Sequence, residues 1–507
     1  MVGVMDCAAL QGFSAAKVRI EADIARGIPS FQLVGLVENS VKEARVRVQS
    51  AMNNAGFSFP RGKISVNLAP ADVHKQGTAF DLAIALAILK ASGVVSDKEL
   101  DGIAAIGELS LTGEIRPVRG MLTMADSIKQ QGFKTLLVAP ENAHEASLIE
   151  GLCVKIVKNF GEMMNAILGN TLDALPSPIN THDNDVHDAM PDMSDVVGQH
   201  EARRALLIAV SGQHNVLLIG GPGSGKSMMA HRMPSIFPPL SYEESIDLTK
   251  IYSAAGLTLS GNLIKKRPFR APHHSITRAG LVGGGSGLIR PGEISLASYG
   301  VLFLDELLEF PRSVLEVLRQ PLEDGHITLS RANHAVTFPA HLSLVAALNP
   351  CPCGYYGQRT SRCNCGLHAI ERYQSKLSGP LMDRIDLCVN VPPVNVQLMA
   401  QNKTEETSAS MREKVMIARA MQIKRFSDHT CNGKMSRKHI QEFANITHKA
   451  EQFLISCAER LAMSARSFDR IIRVARTIAD LEESPSIHEH HIAEAFHYRP
   501  LPNFMKA

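Results

Sequence analysis

A glycine-rich run, Gly220-Gly221-Pro222-Gly223-Ser224-Gly225-Lys226-Ser227, fits the spacing G-x-x-x-x-G-K-[ST] and lies between the apolar stretch NVLLIG and the helical stretch KSMMAHRM. Glycines let backbone N–H groups face phosphate oxygens, and a helix N-terminus adds partial positive charge at the same point. In that frame Lys226 would reach the β- and γ-phosphates of ATP, and the Ser227 hydroxyl would ligate Mg2+. A glycine-rich turn of another purpose would not need strand, motif and helix in this register.

About eighty residues further on, GVLFLDE reads as an apolar strand ending in two adjacent carboxylates, Asp305 and Glu306. Successive strand residues point to opposite faces, so Asp305 can serve the metal while Glu306 orients the attacking water. The stretch LSLVAALNP then places the polar Asn349 at the end of another apolar strand, where it could position that water. Alone this is a weak signal; in this order the three sites describe nucleotide hydrolysis.

Two further constellations carry chemistry. The stretch CPCGYYGQRTSRCNC puts Cys351, Cys353, Cys363 and Cys365 within fifteen residues. Four reduced thiolates on one loop could hold Zn2+ tetrahedrally, although C-x-C is tighter than the usual zinc spacing and His368 could replace one ligand. The alternative is a packing loop without metal. The second constellation is basic. KKRPFRAPHHSITR carries Lys265, Lys266, Arg267, Arg270 and Arg278 with no acidic residue, GGGSGLIRPGE adds Arg290, and GHITLSRANHAVTF alternates like a hairpin with Arg331 near its tip. Such side chains would contact DNA phosphates, giving sequence-independent, salt-sensitive binding; the other possibility is a solvated basic face. Phe269 is the one Phe, Tyr or Trp within KKRPFRAPHHSITR and aromatic rings do not alternate with the charges, so base stacking is not expected.

The elements that position these residues form a chain of 507 residues, too long for one core and suited to about three domains. A net charge of +3 argues nothing about nucleic acid by itself, so any basic surface is local. The chain's opening shows no basic segment followed by an unbroken apolar run, and the longest apolar stretch, FDLAIALAILKASGVV, is interrupted by Lys90. That stretch reads as a buried helix; no signal peptide and no membrane partner are expected. A cytoplasmic location follows, with nine reduced cysteines. The polar, proline-containing segment 172–195 reads as an exposed linker between an α/β segment over 1–171 and a second α/β block over 196–395. NVLLIGG, GVLFLDE and LSLVAALNP are strands of the fully buried kind, as in a parallel sheet. From 408 to 507 the pattern is helical.

Together these residues resemble the AAA+ ATPases, and more narrowly the magnesium-chelatase-like branch that includes the bacterial ComM/YifB proteins. The resemblance covers nearly the whole chain and is carried by RAPHHSITRAGLVGGG, IRPGEISLASYGVLFLDELLEF, LRQPLEDG, NPCPCGYYG, GPLMDRID and SARSFDR. It implies a P-loop AAA+ core with a parallel sheet and a C-terminal helical lid. It also implies that Arg384 matches the arginine finger presented to a neighbouring subunit's nucleotide, and that Arg466 matches the sensor arginine of the lid. Both roles suit a permanent cation with a planar donor fork. The alternatives are a salt bridge of Arg384 with Asp383 or Asp386, and Arg470 or Arg473 in place of Arg466. A finger working in trans implies a homo-oligomeric ring, by resemblance a hexamer, with the cysteine loop near the subunit interface.

The segment over 1–171 resembles the proteolytic domain of the Lon family, a ribosomal-protein-S5-like α/β fold, through KQGTAFDLAIALA and GELSLTGEIRPVRGMLTMADSIKQQGFKTLLVAPEN. Ala79 stands where the serine nucleophile would be and Leu122 where the lysine would be; Thr78 and Lys129 are out of register. Neither aligned residue can attack a carbonyl or take a proton, so no peptidase activity is expected. The reading that results is an ATP-driven DNA motor that migrates branched or forked DNA in recombination or natural transformation. Its rival is a chelatase-like remodeller of a protein partner, against which the extra N-terminal segment speaks.

Overall fold

The computed structural model describes residues 2–35, 38–71, 73, 75, 77–178, 191–257, 262–285, 289–331, 334–357, 363–393, 405–426 and 430–499. Strands Val2–Gln11, Ser14–Ala25 and Lys63–Ala69 pair antiparallel, and Ser30–Val34 joins Lys63–Ala69 in parallel. Along Ser14–Ala25 the pattern has period two: Val18, Ile20 and Ala22 are buried, while Lys17, Arg19 and Asp23 are exposed. One face of this sheet therefore meets a core and the other meets water.

The helix Asp81–Ala91 lies on that inner face and is buried from Asp81 through Leu89. A helix apolar on all sides has to be sandwiched. It sits so close to the first strand that a Cβ on Gly3 would lie 2.1 Å from the Ala87 carbonyl oxygen. Its one buried charge is matched: Asp81 accepts from Arg47 at 2.6 and 3.0 Å and from the Leu109 N–H at 3.1 Å. A separate parallel sheet of Ile103–Ile106, Thr135–Val138 and Cys153–Ile156 completes this part.

The second block is built on a five-stranded parallel sheet in the order Phe269–Arg270, Val301–Leu304, Ser343–Leu348, Val216–Ile219, Leu387–Asn390. Val216–Ile219 and Val301–Leu304 are apolar throughout, and Ser343–Leu348 is so after its first residue, because both faces of the sheet are covered. Val216, Leu218, Val301, Phe303, Val345 and Ala347 enter one core, while Leu217, Ile219, Leu302, Leu304, Leu344 and Ala346 enter another. The C-terminal helices Ser408–Phe426 and Ala465–Leu481 contribute Met411, Val415, Ile471, Val474 and Ile478 to the first of these cores. The helical tail is thus packed as the cover of one sheet face. Inside it Asp480 and Arg476, both fully buried, pair at 3.0 Å, and Arg425 and Asn432 also donate to Asp480, at 2.9 and 2.7 Å.

The helix Tyr242–Ala255 joins the two blocks. A capping box between Ser241 and Glu244 starts it, and Gly256 in the left-handed region (φ +76°) ends it. Ile246 is part of the N-terminal core. Lys250 pairs with Asp126 at 2.7 Å, Ser253 donates to Glu145 at 2.7 Å, and the Tyr242 hydroxyl donates to the Leu148 carbonyl at 2.8 Å. The segment expected as an exposed linker is pinned at both ends, since Leu175 belongs to the N-terminal core and Met193 to the sheet core. Residues 179–190 lie outside the described residues.

Candidate functional site

The glycine-rich run follows directly on Val216–Ile219 and leads into the helix Lys226–Arg232. In an open parallel sheet this carboxyl end is where loops from neighbouring strands converge on a ligand. Gly223 and Gly225 take φ of +73° and +92°, the left-handed region that a glycine adopts without strain. Lys226 is buried and donates to the carbonyls of Gly220 and Gly221 at 2.7 and 2.9 Å and to the Asn349 side-chain oxygen at 3.3 Å. Burial holds its ammonium below the ordinary pKa, against the opposing pull of Asp305 and Glu306. Ser224 Oγ is buried without a partner among the described residues. A lysine folded back on its own loop and an orphaned hydroxyl beside it fit a loop whose natural contacts are phosphate oxygens.

Ser227 donates to Asp305 at 2.7 Å. The hydroxyl and carboxylate form a pair of hard oxygen donors of the kind Mg2+ takes. The strand stops at Leu304, so the two acids are not separated by the pleat as expected. Glu306 instead adopts φ +49°, an uncommon conformation for a residue with a Cβ, and its N–H donates to Asp305 Oδ1 at 2.9 Å. That turn leaves Asp305 beside Ser227 and Glu306 exposed. His274 Nδ1 lies 3.6 Å from Glu306 Oε2, a neighbour that the sequence offered only within a basic stretch. Asn349 follows the strand Ser343–Leu348, and its side-chain oxygen accepts from Lys226.

Arg384 stands at the other end of the sheet. Its carbonyl accepts from the side chain of Asn215, the residue before the strand Val216–Ile219, at 2.8 Å. Four strand residues, roughly 13 Å of rise, separate that end from the phosphate loop. Its guanidinium donates to the Pro380 carbonyl at 2.9 Å and pairs with Glu323, not with Asp383 or Asp386. The hydrogen bond from Arg384, together with the nearby charges of Arg466 and Arg319, holds the Glu323 carboxyl below the usual carboxylate range. Arg466 is exposed on this same side. Arg470 is buried and committed to the Asp383 carbonyl and, at 3.8 Å, to Asp386.

Cys351, Cys353, Cys363 and Cys365 come together, each sulfur within 4.8 Å of every other. His368 is exposed and pairs with Glu371 at 3.9 Å, so it is not part of the group. Of the basic residues, Lys265, Lys266, Arg278 and Arg290 are exposed. Arg267 is a framework residue: it donates to the carbonyls of Pro238, Tyr299 and Pro239 and to Glu244, and lies over the Phe237 ring. Arg270 is held by both oxygens of Glu293 at 2.6 Å. The hairpin is present, His326–Arg331 against His334–Pro339; its tip, Ala332 and Asn333, and the side chain of Arg331 lie outside the described residues. In the N-terminal block Ala79 and Leu122 are both buried.

Three family models match. Residues 192–399 fit the one described as magnesium chelatase, subunit ChlI, residues 20–142 the one described as subunit ChlI of Mg-chelatase, and residues 405–499 the one described as magnesium chelatase, subunit ChlI C-terminal. The match over 20–142 means that the N-terminal segment does not by itself set the chain apart from chelatase subunits. Competence protein ComM of Haemophilus influenzae is 41% identical over 502 residues, which cover 98% of this chain and 97% of that protein. The protein YifB of Escherichia coli is 38% identical over 506 residues, covering 99% and 98%. A more distant likeness, 22% over 309 residues, is to the maternal DNA replication licensing factor mcm6 of Xenopus tropicalis, covering 57% of this chain and 32% of that protein.

Proposed function

The chain belongs to the ComM/YifB family of magnesium-chelatase-like proteins, and on that premise we propose that it is a ring-shaped, ATP-driven motor that moves branched or forked DNA. The observation that carries this reading is the division of one reaction's parts between the two ends of one sheet. Lys226, Ser227, Asp305, Glu306 and Asn349 gather at the carboxyl ends of the strands, and Arg384 stands at the amino ends. A site so divided is complete only when a second copy supplies its arginine, which supports a closed homo-oligomer, by family a hexamer.

In this reading the backbone of Gly220 to Gly225 cradles the phosphates, with Pro222 as one wall, and Lys226 pairs with the β- and γ-oxygens. Ser227 and Asp305 hold Mg2+, which when bound neutralises charge on the phosphate oxygens. Glu306 orients the attacking water and takes its proton, and Asn349 keeps that water in line. Arg384 of one subunit donates to the charge that develops on the phosphates held by the next, with Arg466 beside it. ATP and Mg2+ are the cofactors, with Zn2+ as a third group at the four cysteines.

DNA is assigned as the partner on two grounds: the exposed Lys265, Lys266, Arg278 and Arg290, and the relatives named for competence and for DNA replication licensing. The N-terminal block is a Lon-like scaffold without peptidase chemistry, since Ala79 and Leu122 occupy the positions of nucleophile and base. The cytoplasm is its place. Among the described residues no helix is long and apolar enough to cross a membrane. The deciding experiment measures ATP hydrolysis with and without forked and four-way DNA at several salt concentrations. Stimulation that fades with salt is the expected result. Stimulation by a protein partner and by no DNA would replace the motor with a chelatase-like remodeller.

A further inference from the structure

Two side-chain groups among the described residues converge closely enough to hold a metal: Glu482 with His490 and His491, and the four cysteines. The first is already satisfied as a helix start. His491 Nδ1 accepts from the His488 N–H at 2.9 Å, so its Nε2 carries the proton and donates to Glu482 at 3.1 Å. No lone pair is left on that ring for a cation.

The cysteines are different. Cys351 and Cys353 lie 3.3 Å apart, Cys351 and Cys363 3.7 Å, and Cys353 and Cys363 3.6 Å. These separations exceed a disulfide's bond length of about 2.05 Å. The two separations to Cys363 match the edge of a tetrahedron of sulfurs about a Zn2+ ion, about 3.8 Å for a Zn–S bond of about 2.3 Å, and the Cys351–Cys353 separation is shorter. The Tyr356 N–H lies 3.4 Å from Cys351 Sγ, a main-chain contact of the kind that steadies a metal-bound thiolate. An all-thiolate tetrahedron selects zinc or iron, and no harder cation.

The loop's position gives the metal a purpose. Cys351 is two residues beyond Asn349, whose side chain faces Lys226. The turn between the first two cysteines is closed by Gly354, whose N–H donates to the Cys351 carbonyl at 2.9 Å. Gly354 presses on the phosphate loop itself: a Cβ there would lie 2.5 Å from Pro222 Cδ and 2.9 Å from Cγ, and φ is +81°. From the far side of the loop, Gln374 donates to the Pro350 carbonyl at 3.2 Å, which ties the helix Leu367–Gln374 to the same segment.

We propose that Cys351, Cys353, Cys363 and Cys365 hold one structural Zn2+, and that the knuckle so formed is a wall of the nucleotide site, fixing Pro222 from outside and Asn349 from within. The proposal rests on the assignment of ATP to the glycine-rich loop. It makes the nucleotide site depend on a metal that touches neither substrate nor water.

Two measurements on the full chain, purified under reducing conditions without chelator, separate its parts. Elemental analysis should give one zinc per chain. Cys363→Ser with Cys365→Ser should abolish it while circular dichroism stays that of the wild type; Cys153→Ser with Cys457→Ser should keep it. Iron in place of zinc, or zinc that survives the Cys363/Cys365 pair of changes, overturns the metal. Gly354→Ala, strained at φ +81°, should melt at a lower temperature but keep its zinc, and should bind a fluorescent ATP analogue on the order of tenfold more weakly, because the added Cβ displaces the loop that the knuckle braces. Zinc at full occupancy with nucleotide binding unchanged in Gly354→Ala overturns the brace and leaves the metal. Loss of nucleotide binding in Lys226→Ala checks the underlying ATP assignment independently: if that variant binds as well as the wild type, the ATP reading itself has failed.

Discussion

The side-chain amide of Asn215 donates to the main-chain carbonyl of Arg384, 2.8 Å away, and Asn215 immediately precedes the strand whose far end leads into the loop before Lys226. The strand is a rigid spacer between the two cations. An arginine held at one end of it serves phosphates at the other end only on a different molecule. Arg384→Ala should therefore bind ATP normally and hydrolyse it on the order of 10³-fold more slowly, the usual cost of losing an arginine finger. Lys226→Ala should be equally inactive. Mixing the two variants places an intact loop opposite an intact arginine at some interfaces, so activity should return in the mixture. A mixture as dead as its components would mean that Arg384 does not work across a subunit boundary.

Glu306 is turned away from Asp305 by its left-handed backbone, and His274 Nδ1 lies 3.6 Å from its carboxylate. A carboxylate set apart from the Ser227–Asp305 pair suits proton transfer rather than metal binding. Glu306→Gln should still bind ATP and assemble, while hydrolysis falls by roughly 10²- to 10⁴-fold. Asp305→Asn, by contrast, should weaken the Mg2+ dependence of binding itself. Equal hydrolysis in Glu306→Gln and wild type, read by phosphate release, would remove Glu306 from the reaction.

Arginines that look alike in the stretches KKRPFRAPHHSITR and GGGSGLIRPGE divide into two kinds once folded. Arg278 and Arg290 are exposed, and changing either to Ala should lower the slope of log affinity for DNA against log salt by about one. Arg267 is packed and donates to three carbonyls and to Glu244. Arg267→Ala should instead lower stability by about 2 kcal/mol, the scale of hydrogen bonds lost from a charged group, read by denaturant unfolding. A reversed outcome, with a salt-slope change from Arg267 and none from the other two, would relocate the DNA path.

That division also marks what the sequence could and could not tell. Strands covered on both faces announce themselves as unbroken apolar runs, so the sheet around NVLLIG, VLFL and SLVAAL was legible, and so was the motif at its end. Pairings between distant segments leave no local trace. The contact of Gly354 with Pro222, the approach of His274 to Glu306 and the capture of Arg384 by Glu323 join residues far apart in the chain. Charge counts in a window cannot say which arginine will be satisfied internally; Arg267 and Arg270 look as free in the sequence as Arg278. The convergence of four thiols was readable from spacing, whereas the exclusion of His368 was not, because it depends on where the helix Leu367–Gln374 begins.

Asp386 gives the structure a predictable response to acid. Burial alone would raise its pKa, but contacts with His214 at 3.7 Å, with Arg470 at 3.8 Å and with the Asn215 N–H at 2.9 Å hold the carboxyl below its ordinary value. A depressed carboxylate contributes stability that is complete above its unfolded pKa, about 3.9, and is lost as pH falls through the still lower folded value. Asp386→Asn leaves the buried Arg470 with the carboxylate of Asp383 alone, at 4.0 Å, so at neutral pH the variant should be less stable by about 3 kcal/mol. The gap between wild type and variant, from urea unfolding, should stay constant down to about pH 5 and close below about pH 4. The same residue fixes Arg384 through Asn215, so the variant should also lose ATP hydrolysis more than ATP binding. A gap that widens on acidification would reverse the sign assigned to this carboxylate and with it the claim that it is charged in the folded protein.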